Sequence, residues 1–411
     1  MSRSDAMQIL NAGIKSTMPA NFVSKFVKKN CLICANRTYK ISDYDHIWLV
    51  AMGKAADTMA KSVHSIINSA GGLVIIPKNH VTQFHNKKFQ TIKAGHPTPN
   101  KNSVHAAKKI ISFLQNTGKS DLVIFLVSGG SSALVCAPFG IGLSQKIAIT
   151  KTLLASGASI SEINAIRKHL SAIKGGRLLE SLQCPAISYV MSDVVGDDLG
   201  SIGSGITYCD KSTFSECLGI ISKYKLAQKI PRIALKMLQN GVAGKIPETP
   251  KRPKIPNQII ATNSDCLGIM AKKAKSLGYC TKIYSGVSGD VRLAVKRILQ
   301  KTNLKKNNCL IFGGETTVRL AGNGKGGRNQ ELVLHMISNL KQNAIVASVG
   351  TDGIDGNTKH AGAMFDRKIS KHITKPYLQN NDSSLFFKKF GGLITTGPTH
   401  SNLLDVGLVL L

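Results

Sequence analysis

Short apolar runs punctuated by glycine or polar turns, each followed by a stretch of helical spacing, recur along almost the whole chain. "HIWLVAMGK", "GGLVIIPKN", "DLVIFLVSGGSSALV", "PAISYVMSDVVGDD", "QIIATNSD", "CTKIYSGVSGD", "AIVASVGTDGIDG" and the tail "LLDVGLVLL" all read as strands leading into turns. Continuous apolar runs of this length suit strands buried on both faces, and their alternation with helices implies parallel sheets. "CLIFGGETTVRLAG" reads instead as two strands separated by Gly313–Gly314. Helical spacing predicts two opening helices, near 4–17 with Ser4 as N-cap and near 20–30. Further helices are predicted near 54–69, 101–117, 144–182 as two pieces, 214–240, up to about 278, up to about 302, and near 328–341. Residues 244–257, "GKIPETPKRPKIPN", carry four prolines and are the best linker or domain crossing. The expected fold is therefore α/β in two domains, residues 1–245 and 246–411, each a mostly parallel, Rossmann-like sheet flanked by helices.

Composition narrows the class. A chain of 411 residues is long enough for two or three domains. No apolar run approaches the ~18 residues of a membrane span, and the N-terminal stretch lacks a signal-peptide core. A soluble cytoplasmic protein without a membrane partner is expected. Nine scattered cysteines suit reduced thiols. Cys31 and Cys34 form a lone C-x-x-C without a second pair, and are expected as two thiols in or near a helix. The formal charge of +32 invites a nucleic-acid partner. The lysines, however, come in pairs on predicted helix faces, aromatics are sparse, and no binding motif accompanies the charge, so none is expected. Carboxylates are scarcer, 22 in all. Asp193, Asp197, Asp198, Glu315, Glu331, Asp352 and Asp355 nevertheless lie in or beside glycine-containing stretches, where metal binding or phosphoryl chemistry would use them.

In parallel α/β sheets, ligands bind beyond the carboxyl ends of the strands. One such end, "AGNGKGGRNQE", fits G-x-G-x-x-G at Gly322, Gly324 and Gly327. A dinucleotide site needs that loop directly after the first strand of a βαβ unit, with an acid ~20 residues on. Residues 332–351 contain no Asp or Glu. The loop is otherwise a glycine turn bringing Arg328, a planar fork for phosphate or carboxylate, to an anion, or a turn with a surface arginine. Lys54 in "GKAAD" sits where a strand gives way to a helix. Gly129, Gly130, Ser131 and Ser132 in "SGGSSAL" offer free N–H groups and hydroxyls. Asp193 in "SDVVGDD" suits proton abstraction, Mg²⁺ binding or a helix cap.

Taken together, "AMGKAA", "AGHPTP", "SGGSSAL", "IRKHLSAIKGGRL", "SDVVGDDL", "GGETTV", "GNGKGGRNQE", "GTDGIDG" and "TGPTHSNLLD" resemble the glycerate 2-kinase (type II glycerate kinase) family, whose C-terminal part is the MOFRL domain. The resemblance spans most of the chain. It implies an active site in the cleft between two α/β domains and ATP-dependent phosphorylation of D-glycerate to 2-phosphoglycerate with Mg²⁺. On that basis Lys54 and Arg328 are assigned to the transferring phosphoryl group, and Asp193 to the hydroxyl proton or, with Asp198, to Mg²⁺. Gly129, Gly130, Ser131, Ser132 and Arg177 are assigned to substrate or phosphate, and Asn263, Gly313, Gly314, Glu315 and Asp352 to the nucleotide. Ile206, His360 and His400 stand where the family usually carries proline, a small residue and glycine, which bears on local loop shape and substrate preference. A hydroxypyruvate reductase using NAD(P)H is the alternative function. Monomer and homodimer both stay open.

Overall fold

The run LVIFLV is buried at all six positions and lies near the middle of a six-stranded sheet. The structure is a computed structural model and describes residues 2–302 and 305–411. Its elements begin with α1 (Arg3–Ser16), α2 (Ala20–Phe26) and a hairpin of β1 (Cys31–Cys34) and β2 (Arg37–Lys40). The strands β3 (Ile47–Met52), β4 (Gly71–Pro77), β5 (Phe89–Ala94), β6 (Leu122–Val127), β7 (Ala186–Met191) and β8 (Asn257–Ala261) build the first sheet. Between them lie α3 (Ala56–Ile67), α4 (Lys101–Gln115), α5 (Ser131–Leu134), α6 (Leu143–Ala155), α7 (Ile160–His169), α8 (Phe214–Lys223) and α9 (Arg232–Val242). After α10 (Asn263–Ser276) come β9 (Cys280–Asp290), α11 (Val291–Lys301), β10 (Asn308–Thr317), α12 (Arg328–Asn339), β11 (Ile345–Gly350), β12 (Gly362–Phe365), α13 (Lys371–Gln379), α14 (Ser383–Phe390), β13 (Leu393–Ile394) and β14 (Asp405–Leu410).

The chain forms two compact units. An N-terminal unit comprises Phe22–Met191 and Asp197–Ile260; a C-terminal unit comprises the chain up to Asn21, Ser192–Gly196 and Ala261–Leu411. The units exchange the chain at 21/22, around 192–196 and at 260/261, and the expected 245/246 division falls inside a segment of the N-terminal unit. Helix α1 packs on α10, with Gly13 against the Met270 side chain, and Tyr279 donates to Asp5 at 2.7 Å. The proline-rich stretch 244–257 is stitched into the N-terminal unit: Glu248 accepts from the Phe214 amide at 2.8 Å, and Thr249 donates to Asp210 at 3.1 Å.

The first sheet runs β5-β4-β3-β6-β7-β8, and its pairings from β5 through β7 are parallel. Counted from β3, this is the doubly wound order 3-2-1-4-5-6. The second sheet, β13-β12-β11-β14-β10-β9, departs from the mostly parallel expectation: only β9–β10 is parallel, while β10–β14, β11–β14, β11–β12 and β12–β13 are antiparallel. The final strand, β14, inserts between β10 and β11 and runs antiparallel to both, and β12 turns back along the other edge of β11. "CLIFGGETT" is one strand, not two. The double glycine is accommodated by a register shift against β9 between Phe312 and Gly314. The Cys31–Cys34 pair lies on β1 instead of a helix. Its two-residue turn, Ala35–Asn36, has both φ angles positive (48° and 62°), the conformation a tight hairpin needs. All nine cysteines are free. Among the described residues no helix is long and apolar enough to cross a membrane.

Candidate active site

In a doubly wound sheet the crevice opens where the strand order reverses, here between β3 and β6. The two strand ends are laced together. The Ser128 amide donates to Met52 O at 3.0 Å, the Lys54 amide to Gly129 O at 2.8 Å, and the Ala55 amide to Ser128 Oγ at 3.1 Å. This close approach requires glycine at 53, since a Cβ there would lie 2.1 Å from Ser128 Oγ, at a φ of +131°. Gly130 (φ +84°) turns the chain into α5, and a Cβ on it would meet the His96 ring at 2.9 Å and Lys54 Cγ at 3.5 Å. The switch point therefore brings Lys54, Gly129, Gly130, Ser131 and Ser132 together, as assigned from sequence, and adds His96 from "AGHPTP".

Behind this turn lies a basic group the sequence reading passed over. Ser132 Oγ accepts from Arg167 Nη2 at 2.5 Å and from Lys174 Nζ at 2.8 Å, and contacts Ser204 Oγ at 2.9 Å. Lys174 is fully buried, and its Nζ also donates to Ser132 O at 2.9 Å. Arg177 is elsewhere. It is buried, stacks over the Phe139 ring, and donates to Pro247 O at 2.9 Å. Burial lowers its pKa, while Glu180, Glu248 and Asp210 oppose that shift. Asp198 is exposed and shapes its own turn, accepting from Ser201 Oγ at 2.6 Å and the Gly200 amide at 3.3 Å.

In the C-terminal unit, Arg328 opens α12. Its Nε and Nη2 bind the two oxygens of Asp405 at 2.6 and 3.0 Å, and its Nη1 bonds Glu315. Burial opposes the guanidinium's charge, but Asp405 and Glu315 outweigh it and raise its pKa. Burial likewise pushes the Asp405 carboxyl up, against the pull of Arg328. Strand register explains the convergence: Gly314, Asp405 and Gly350 lie side by side across β10, β14 and β11. Asn263 spans to Leu403 O at 2.7 Å and Asp405 O at 3.0 Å, and Gly313 packs against Asn263 Oδ1. Asp352 is half-buried and accepts from the Ile354 amide at 3.1 Å. Asp193 is half-buried within the short Ser192–Gly196 segment of this unit.

The glycine loop before α12 does not offer its helix end to an external anion. Asp355, 1% exposed, accepts from the amides of Asn329 at 3.0 Å and Gln330 at 2.9 Å. The chain's own carboxylate thus satisfies the first-turn donors that a pyrophosphate would use. Other amides of the loop are taken by the chain's own side chains: those of Ala321 and Gly322 donate to Asn381 Oδ1 at 2.6 and 3.1 Å. A cavity of about 780 Å³ lies between α11, α12 and α13; Arg292, Arg319, Glu331, His335 and Lys371 are among its lining residues, and none of the assigned site residues lines it.

Comparison with known proteins agrees with this architecture. Residues 5–239 match a family described as a domain of unknown function, DUF4147, and residues 308–405 match the MOFRL family. A glycerate 2-kinase of Pyrococcus horikoshii is 33% identical over 433 residues, covering 100% of this chain and 97% of that protein. A D-glycerate 2-kinase of Thermotoga maritima is 33% identical, covering 98% of each. A protein of Agrobacterium vitis, provisionally named a hydroxypyruvate reductase, is 35% identical over 88% of this chain and 86% of its own length. The crystal structure of a glycerate kinase from Thermotoga maritima superposes with a TM-score of 0.82 at 32% identity, over 99% of both chains.

Proposed function

We propose that this chain, which belongs to the glycerate 2-kinase family with a C-terminal MOFRL domain, transfers the terminal phosphoryl group of ATP to the 2-hydroxyl of D-glycerate. The products are 2-phosphoglycerate and ADP. The observation that carries the reading is the switch point of the first sheet. It presents a lysine, two glycines and two serines where α/β enzymes bind ligands. The hydroxyl oxygen attacks the terminal phosphorus, the bond to the bridging oxygen of ADP breaks, and the hydroxyl proton must leave. Phosphoryl transfer asks the protein mainly for positioning and neutralisation of the phosphoryl oxygens. Lys54 and Arg328 supply the cations. Asp405 fixes the Arg328 plane through two bonds, and Glu315, the more exposed of the two acids, is the partner a phosphoryl oxygen would replace. Asp193 takes the hydroxyl proton or, with Asp198, holds Mg²⁺. Carboxylate oxygens are the hard ligands that ion takes, and Mg²⁺ would neutralise phosphate charge. Gly313, Gly314, Asn263 and Asp352 shape the strand ends that receive the nucleotide. The reductase reading gains nothing from the glycine loop, because Asp355 already fills the adjoining helix end.

Lys54→Met and Arg328→Ala test the assignment. Turnover per folded molecule is expected to fall steeply in both, by ~10³–10⁵ for an arginine on the transferring group. Arg328→Lys should recover only part, because an ammonium cannot reproduce the planar fork. Melting curves must accompany these rates, since stripping the partner from a buried Asp405 costs about 3–5 kcal/mol. Near-wild-type turnover in folded Lys54→Met and Arg328→Ala would remove both residues from the chemistry.

A further inference from the structure

The basic group behind the Ser131–Ser132 turn is unbalanced. Lys146 is 5% exposed, Lys174 is 0% exposed, and Arg167 is half-buried on α7. Burial disfavours the charge of all three, and among the charged neighbours that act most strongly on the two lysines are Arg167 and, for Lys174, Lys146 and Lys168. Asp210, the carboxylate that pairs with the neighbouring Lys168 at 3.2 Å, also accepts from Thr249 at 3.1 Å. Three buried polar atoms at this place lack a hydrogen-bond partner: Ser131 Oγ, Lys146 Nζ and Arg167 Nε. Buried cations are ordinarily paired, because taking a charge out of water is costly. Deprotonation relieves only the lysines, as a guanidinium stays charged. The Ser132 hydroxyl accepts from both Arg167 and Lys174 but is neutral and cannot balance them.

We infer that Ser131, Ser132, Lys146, Arg167 and Lys174 form a subsite for a small oxyanion, which completes the charge balance when bound. The half-buried Ser132 and Arg167 are its accessible side, and Lys146 and Lys174 are its floor. Arg167 offers its Nε edge and Ser131 its hydroxyl, while Lys146 supplies a compact charge. That the anion is a group of the reaction itself, the carboxylate of the hydroxy acid or a phosphate of the nucleotide, rests on the kinase reading above. Arg167 and Lys146, and not Arg177, are then the cations that hold it, because Arg177 already donates to Pro247 O and has Glu180, Glu248 and Asp210 near it, while Lys174 Nζ is spent on Ser132 and Gly203.

The test is equilibrium binding to the full chain at fixed ionic strength, by calorimetry, for wild type, Arg167→Gln and Lys146→Met. The probes are D-glycerate alone, a non-hydrolysable ATP analogue with Mg²⁺ alone, and the uncharged glycerol and adenosine. Wild type should bind one or both anionic probes and neither uncharged one. Each variant should lose about thirtyfold in affinity for one anionic probe, as expected for truncating a buried charge partner, and keep its affinity for the other. Whichever probe is lost identifies the source of the oxyanion. Lys146→Met should also melt no lower than wild type without ligand, because it removes an unpaired buried charge; a purely structural lysine would show the reverse. Unchanged affinity of both variants for both probes overturns the subsite, even if the wild type phosphorylates glycerate. Wild type that binds glycerate and loses it in the variants, yet forms no ADP with ATP, keeps the subsite and overturns the kinase reading.

Discussion

His335, on α12, shows how burial sets the behaviour of one residue. Its ring lies among the residues lining the α11–α12–α13 cavity, 4.0 Å from Glu331. Burial, reinforced by Arg292, pushes its pKa down to about 4, against a smaller pull from Asp290. In the unfolded chain the same ring titrates near 6.5. Between those values protons bind the unfolded chain and not the folded one, so stability present above pH 6.5 is lost as pH falls towards 4, on the order of 3 kcal/mol at the limit. His335→Gln should flatten that loss, measured as melting temperature at steps from pH 7 to 4.5. Equal slopes in the two proteins would show that the ring is not shielded. At this scale the sequence singles out Lys54 and the two serines because they sit at strand ends. It singles out Arg177 within "IRKHLSAIKGGRL", a stretch that gives no sign of which cations face inward. Only the fold reveals that Glu248 and Pro247 serve Arg177.

At the scale of elements, α12 depends on a cap from outside its own sequence. Gly327, its N-cap residue, has no side chain to accept the first-turn amides, and Asp355 from the loop between β11 and β12 does so instead. Asp355→Ala should therefore cost more than the ~0.5–2 kcal/mol of an exposed cap, because buried donors lose their acceptor at ~1–3 kcal/mol each. Asp355→Asn, which keeps one oxygen, should lose less. Denaturant unfolding of the two variants checks this, and an unchanged midpoint for Asp355→Ala would show that the carboxylate does not hold the helix. Most of the parallel sheet of the N-terminal unit was legible because the apolar runs of β3 and β6 lead into helical spacing; β5, FQTIKA, is buried only at Ile92 and Ala94 and gave no such run. The mixed sheet was not, since antiparallel insertion of β14 is a long-range pairing that leaves no local periodic trace. The β1–β2 hairpin escaped notice because its turn residues are Ala35–Asn36, without the Asn-Gly or Asp-Gly dipeptide that signals such turns.

At the scale of the whole chain, two compact units are built from interleaved segments, with α1 joining the C-terminal unit. That arrangement follows from tertiary packing on α10 and is invisible to a linear reading of prolines. The set of strand-end motifs was visible, and with it the family. The proposed reaction is phosphoryl transfer to the 2-hydroxyl of D-glycerate. The most direct measurement is ³¹P NMR of protein incubated with D-glycerate, ATP and Mg²⁺. Transfer to C2 should give loss of the ATP resonances, matching growth of ADP, and a new phosphomonoester signal split into a doublet by the single proton on C2. A triplet from phosphate on a CH₂ group, or no ADP while NADH is oxidised by hydroxypyruvate, would contradict it.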